Sequence, residues 1–129
     1  MKKILGMGNA LTDILVQLDD DKHLENLNLP KGSMQLVDEV QNAKVQEYIH
    51  TMPKQMIAGG SASNTMRGIA CLGGDASFVG MVGNDSIAKV FETELKETGV
   101  DAKLFSTNVP SGTATTFISA DGERTFATH

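Results

Sequence analysis

Gly59-Gly60-Ser61-Ala62-Ser63-Asn64 is the stretch on which the fold turns. It follows Gln55-Met56-Ile57-Ala58, a short run that reads as a strand. It opens a segment in which Ala62, Met66, Ile69, Ala70 and Gly73 fall on one helical face. A strand therefore passes into a helix through two glycines. Glycine lets the backbone turn sharply and approach another group with no Cβ in the way. Gly73-Gly74 then supplies the left-handed residue that ends the helix.

Outward from this segment the pattern repeats. Residues 76–82 form a buried-type strand. Asp85 caps a helix with Ile87, Ala88, Val90, Phe91 and Leu95 as its apolar positions, and Gly99 closes it. Residues 103–106 are a further strand. Residues 113–120 and 123–127 flank Asp121-Gly122, a strong hairpin signal. Towards the N-terminus, residues 3–8 and 11–18 are extended, and Asp19-Asp20-Asp21-Lys22 is a turn. Pro30-Lys31-Gly32 turns into a strand at 33–37. Residues 38–50 read as a helix capped by Asp38, with Val40, Ala43, Val45, Tyr48 and Ile49 buried, and Pro53 forbids its continuation. Alternating strands and helices predict an α/β fold, a parallel sheet with helices packed on it. The inserted strands and the terminal hairpin are half polar and rich in threonine, which predicts a second sheet with one wet face.

The 129 residues fit one modest domain, and 40% apolar with 21% charged residues is ordinary for a globular chain. A net charge of -5 disfavours nucleic acid, whose phosphates need a basic footprint. Tryptophan is absent and aromatics are 5%, so no stacking surface for single strands is expected. Cys71 is the only cysteine, which excludes an internal disulfide. Asn9 and Asp13 break the first apolar run too early for a signal peptide, and no stretch reaches the ~18 apolar residues of a membrane span. A cytoplasmic location and no membrane partner are the expectations. His23, His50 and His129 lack metal-ligand spacing and read as surface or incidental. The seven methionines read as core filler.

Two segments carry candidate chemistry. Asn64 lies four residues after Gly60, so its side chain leans back over the glycine turn. An amide there can both donate to and accept from a sugar hydroxyl. Taken alone, the six residues fit better a tight turn with Asn64 solvated. The second segment is Gly8-Asn9-Ala10-Leu11-Thr12-Asp13. Gly6-Met7-Gly8 suggests a dinucleotide fingerprint, but the third required glycine falls on Leu11 and no helix follows. What remains is Asp13 in an extended apolar run. It is either a carboxylate for vicinal hydroxyls, through charge-assisted bonds, or an exposed strand aspartate.

Together these segments resemble the ribokinase-like, PfkB-type carbohydrate and nucleoside kinases, along essentially the whole chain. Gly59-Gly60-Ser61-Ala62-Ser63-Asn64, Gly73 and Gly83 stand at the spacings of that family's N-terminal signature. Two departures are Met66, where the signature prefers a small residue, and Ala88, where it usually has glycine. The resemblance implies a ribokinase-like fold with a small lid sheet, at about residues 11–37 and 112–127. It implies that Asp13 and Asn64 bind the sugar and that Gly59-Gly60 is the hinge beneath it. The opening motif leans toward adenosine kinase-like members. By that analogy Asn9, Leu11, Gln35 and Val37 belong to the acceptor site, the last three lining a base pocket, although ordinary lid packing explains those three equally well.

The activity so implied is ATP-dependent phosphorylation of a primary hydroxyl on a sugar or nucleoside. Magnesium would arrive with ATP, and a monovalent cation or a homodimer through the lid would also be in keeping with the family. The resemblance places the general base, a Gly-Ala-Gly-Asp segment with its anion hole, and the adenine pocket beyond His129. The extended final residues read as a strand in progress. The expectation is therefore an N-terminal part of a kinase, inactive and poorly soluble or self-associated by itself. The alternative is a sugar- or nucleoside-binding or assembly module without chemistry.

Overall fold

The computed structural model describes residues 2–129, and the chain divides into two compact units. The first comprises residues up to Thr12 together with Ile57–Gly112. The second comprises Asp13–Met56 and Thr113–His129.

The first unit holds a three-stranded parallel sheet in the order β1 (Ile4–Met7), β5 (Ala76–Gly83), β6 (Asp101–Thr107). Helix α3 (Ser61–Cys71) packs on β1 and β5, and α4 (Ser86–Glu97) packs on β5 and β6. Asp85 caps α4 through the Ala88 amide, at 2.9 Å. Gly73 and Gly99 both have positive φ just past the two helices, as their positions predict. The core is Phe78 and Phe91, with ring centroids 5.6 Å apart, surrounded by Ala58, Met66, Ala76, Val82, Leu95 and Val100. Its β5 residues, Ala76, Phe78 and Val82, all lie on one face of the sheet. Elsewhere the sheet strands carry Leu5, Met7, Met81 and Phe105, all exposed. Parallel sheets normally bury both faces.

The remaining strands form a five-stranded sheet. Its order is β3 (Met34–Leu36), β8 (Arg124–Thr128), β7 (Gly112–Ile118), β2 (Leu11–Gln17), β4 (Lys54–Gly59). β7 and β8 form the antiparallel hairpin, with Gly122 at φ +86°, and β3 runs parallel to β8. Helix α2 (Glu39–Tyr48) begins at Asp38, whose carboxylate accepts from the Gln41 amide at 2.7 Å.

Several expectations need correction. β4 joins this mixed sheet and not the parallel one. A short helix α1 (Lys22–Asn26) follows the expected turn. Val40 and Ala43 are exposed, and Asn42 takes a buried place on α2. The threonines do not make a wet face. Thr113, Thr115 and Thr125 are fully buried. Their hydroxyls meet Asn42, Gln46 and the Gly32 amide at 3.3, 3.1 and 2.9 Å, as buried polar groups require. His23 is not incidental. It lies in the second unit with Nδ1 2.9 Å from Tyr48 Oη and Nε2 2.9 Å from Asp19. Of the methionines, Met66 is buried in the core, whereas Met7, Met34 and Met81 are exposed.

Candidate functional site

Gly60 is the N-cap of α3, with φ 86° and ψ 141°. That region is essentially restricted to glycine. A Cβ at this position would lie 2.8 Å from the Asn9 carbonyl oxygen and 3.7 Å from Leu11 Cβ. Close backbone approach is thus one reason for the glycine, and positive φ the other. The two motifs singled out in the sequence meet at this point, within the first unit.

From Ala58 to Gly60, three consecutive carbonyls accept hydrogen bonds from α3. Arg67 Nη1 donates to Ala58 O at 2.8 Å, Ser63 Oγ to Gly59 O, and the Asn64 backbone N–H to Gly60 O at 3.0 Å. Glu94, on α4, accepts from the Ala58 amide at 2.7 Å. The turn is therefore fixed from both sides. Asn64 is exposed one turn into α3, and its Oδ1 lies 3.5 Å from Arg67 Nη1. Neither Arg67 nor Glu94 was marked by the sequence as part of a site. Their separation in the chain leaves no local pattern to find.

A second support holds the loop before β7. Asp85 accepts from the Ser111 amide at 2.8 Å and its hydroxyl at 2.7 Å, and Ser111 Oγ accepts from the Gly83 amide at 2.9 Å. Burial works against the Asp85 charge, but the bonds from Ser111 and Ala88 outweigh it and hold the carboxyl below its usual range.

Asp13 lies in the second unit, half-buried on β2 on the strand face that also carries Leu11 and Leu15. Burial pushes its carboxyl above the ordinary value. No salt bridge among the described residues reaches it. Gln35 is half-buried in β3 opposite Ala127, and Val37 is buried, its amide bonded to Thr128 O at 2.8 Å. Among the described residues no group of three His, Cys, Asp or Glu side chains is placed to hold a metal ion. No helix described is long and apolar enough to cross a membrane.

The family profile of pfkB family carbohydrate kinases matches residues 31–129. An adenosine kinase from Schizophyllum commune is 33% identical over 101 residues, which cover 77% of this chain and 29% of that protein. A fructokinase from Klebsiella pneumoniae is 36% identical over 70 residues, 53% of this chain and 23% of that protein. Among solved structures, the adenosine kinase from Sinorhizobium meliloti superposes with a TM-score of 0.75 at 33% identity, over 97% of this chain and 38% of that one. The α/β fold, with its parallel and mixed sheets flanked by helices, is that of the ribokinase-like sugar kinases. This chain belongs to the pfkB carbohydrate kinase family. It spans well under half the length of the relatives it matches.

Proposed function

We propose that this chain supplies the acceptor-binding part of an ATP-dependent kinase that phosphorylates a primary hydroxyl of a sugar or nucleoside. The observation that carries the reading is the glycine turn at Gly60, built against the Asn9 carbonyl with Asn64 one turn further on. Family membership gives that turn its chemical sense.

In this reading Asp13 accepts hydrogen bonds from vicinal hydroxyls of the acceptor, and burial raises its pKa in the ligand-free chain. Asn64 adds its side-chain amide, one turn into α3. Gly59 and Gly60 allow ligand and backbone to approach. Asn9, Leu11, Gln35 and Val37 complete the acceptor contacts. Transfer itself needs metal-bound triphosphate, a base for the alcohol proton and donors for the moving charge. We assign these to further chain beyond the residues described. The exposed apolar residues Leu5, Met7, Met81 and Phe105 on the parallel sheet support a longer protein in which they are covered.

A nucleoside is the preferred acceptor, because the matching adenosine kinase covers most of this chain, whereas the fructokinase match covers about half. Full-length protein should be assayed for ATP-dependent phosphorylation of adenosine, inosine, ribose and fructose, with thermal shifts for the same panel. Turnover of adenosine above the free sugars is expected. Turnover of fructose alone would refute the nucleoside preference. Ligand-induced stabilisation with no turnover of any acceptor would favour a non-catalytic binding module.

A further inference from the structure

Arg67 and Glu94 are charged side chains about three-quarters buried, at 24% and 28% exposure. Buried charges are retained only where strong polar contacts compensate them. These two do not find their strongest contacts in each other, since Arg67 Nη2 and Glu94 Oε2 are 3.9 Å apart. Both grip one residue instead. Glu94 Oε2 takes the Ala58 N–H at 2.7 Å and Arg67 Nη1 gives to the Ala58 C=O at 2.8 Å. In an extended strand the N–H and C=O of a residue point to the same side, so one acid–base pair can span them. Ala58 is buried and stands immediately before Gly59-Gly60. The same Nη1 lies 3.5 Å from Asn64 Oδ1, the outer limit of a hydrogen bond. An amide whose oxygen faces Arg67 presents its NH2 group elsewhere, as a donor.

We infer that Arg67 and Glu94 are positioning residues for the acceptor. They fix the peptide ahead of the glycine turn from α3 and α4 at once, and Arg67 orients the Asn64 amide so that it offers donors to oxygen atoms of the ligand. Neither touches the acceptor. The inference rests on the acceptor-binding role given above to the Gly60 turn and Asn64.

The test uses the full-length protein with Arg67→Ala, Arg67→Lys and Glu94→Gln. Steady-state kinetics with adenosine and ATP are read beside hydrogen exchange of the peptide spanning 57–64. Arg67→Ala is expected to raise the acceptor KM at least tenfold, to leave the ATP KM within about twofold, and to speed exchange at 57–64. Arg67→Lys keeps the charge with one donor group and should recover part of both effects. If Arg67→Ala does not fold, the acceptor KM of Arg67→Lys and Glu94→Gln decides, with a rise of threefold or more expected. An unchanged acceptor KM in the folded variants overturns the inference, as does a loss confined to kcat or shared equally by ATP. If the wild-type protein phosphorylates no acceptor, the kinase reading fails separately. The exchange data then decide the pair's role alone, and unaltered exchange at 57–64 overturns it.

Discussion

The thioether of Met66 lies over Gly6, so close that a Cβ at position 6 would sit 2.7 Å from Met66 Cγ and 2.9 Å from its Sδ. Position 66 is where the family signature prefers a small residue. The large side chain on α3 is accommodated because β1 offers no side chain beneath it. Gly6→Ala should therefore destabilise the protein by about 1–3 kcal/mol through overpacking. Met66→Ala alone leaves a cavity and should cost about 2–5 kcal/mol. The double variant should be more stable than the sum of the two predicts, by about 1 kcal/mol. Denaturant unfolding of the four proteins measures this coupling, and simple additivity would contradict the paired packing.

Gly60, at the start of α3, and Gly68, in its interior, make opposite predictions. Gly60→Ala meets the Asn9 carbonyl and a glycine-only backbone region, so it should lose about 2 kcal/mol or more of stability. Gly68 sits inside α3 with no positive φ, and a methyl group there would meet nothing within 4 Å. Gly68→Ala should stabilise by about 0.5–1 kcal/mol, through helix propensity. Thermal unfolding of both variants distinguishes a required glycine from a tolerated one.

Asp85 ties the start of α4 to Ser111 and, through its hydroxyl, to the Gly83 amide. Its folded carboxyl lies below the ordinary range. The stability it contributes is thus present above the unfolded aspartate value and lost as pH falls through the folded one. Asp85→Ala should cost about 2 kcal/mol or more at pH 7, from the lost cap and the unpartnered Ser111 groups. The difference from wild type should narrow on acidification below about pH 4. Urea titrations across this range provide the check.

These features differ in how far the sequence discloses them. The strand–glycine–helix order, the Asp38 and Asp85 caps and the Asp121-Gly122 hairpin rest on near neighbours in the chain, and each is visible there. What β4 pairs with is decided by distant strands, so its own six residues say nothing of its sheet. Helix α1 has five residues, too few for periodicity to show. The threonines read as solvated because the groups that satisfy Thr113 and Thr115, Asn42 and Gln46, come from a helix far earlier in the chain. The Gly59–Asn64 turn is legible as a motif. Its supports, Arg67 and Glu94, are not, because only the packing of α3 and α4 in the folded unit brings them to Ala58.

Asp13 carries the prediction closest to function. With no salt bridge among the described residues and a carboxyl raised by burial, its charge costs stability in the free protein. Its folded pKa lies above the unfolded one. Stability is therefore greatest below the unfolded value and declines as pH rises through the folded one. Asp13→Asn removes that cost while keeping the shape, so it should raise Tm at pH 7, and the gain should vanish by about pH 3, where the wild-type carboxyl is neutral in both states. Acceptor binding should move the opposite way. Ligand hydroxyls donate to the ionised form, so affinity should rise with pH through the free-state pKa and then level off. Asp13→Ala should weaken acceptor binding by more than about tenfold at pH 7, since a charge-assisted hydrogen bond contributes about 1.5–3 kcal/mol. Asp13→Asn should weaken it less and should abolish the pH dependence. Calorimetric titration of adenosine into full-length wild-type and variant proteins between pH 4 and 8 measures all three. Unaltered affinity in Asp13→Ala would remove Asp13 from the acceptor site, and a pH dependence that survives in Asp13→Asn would assign that titration to another group.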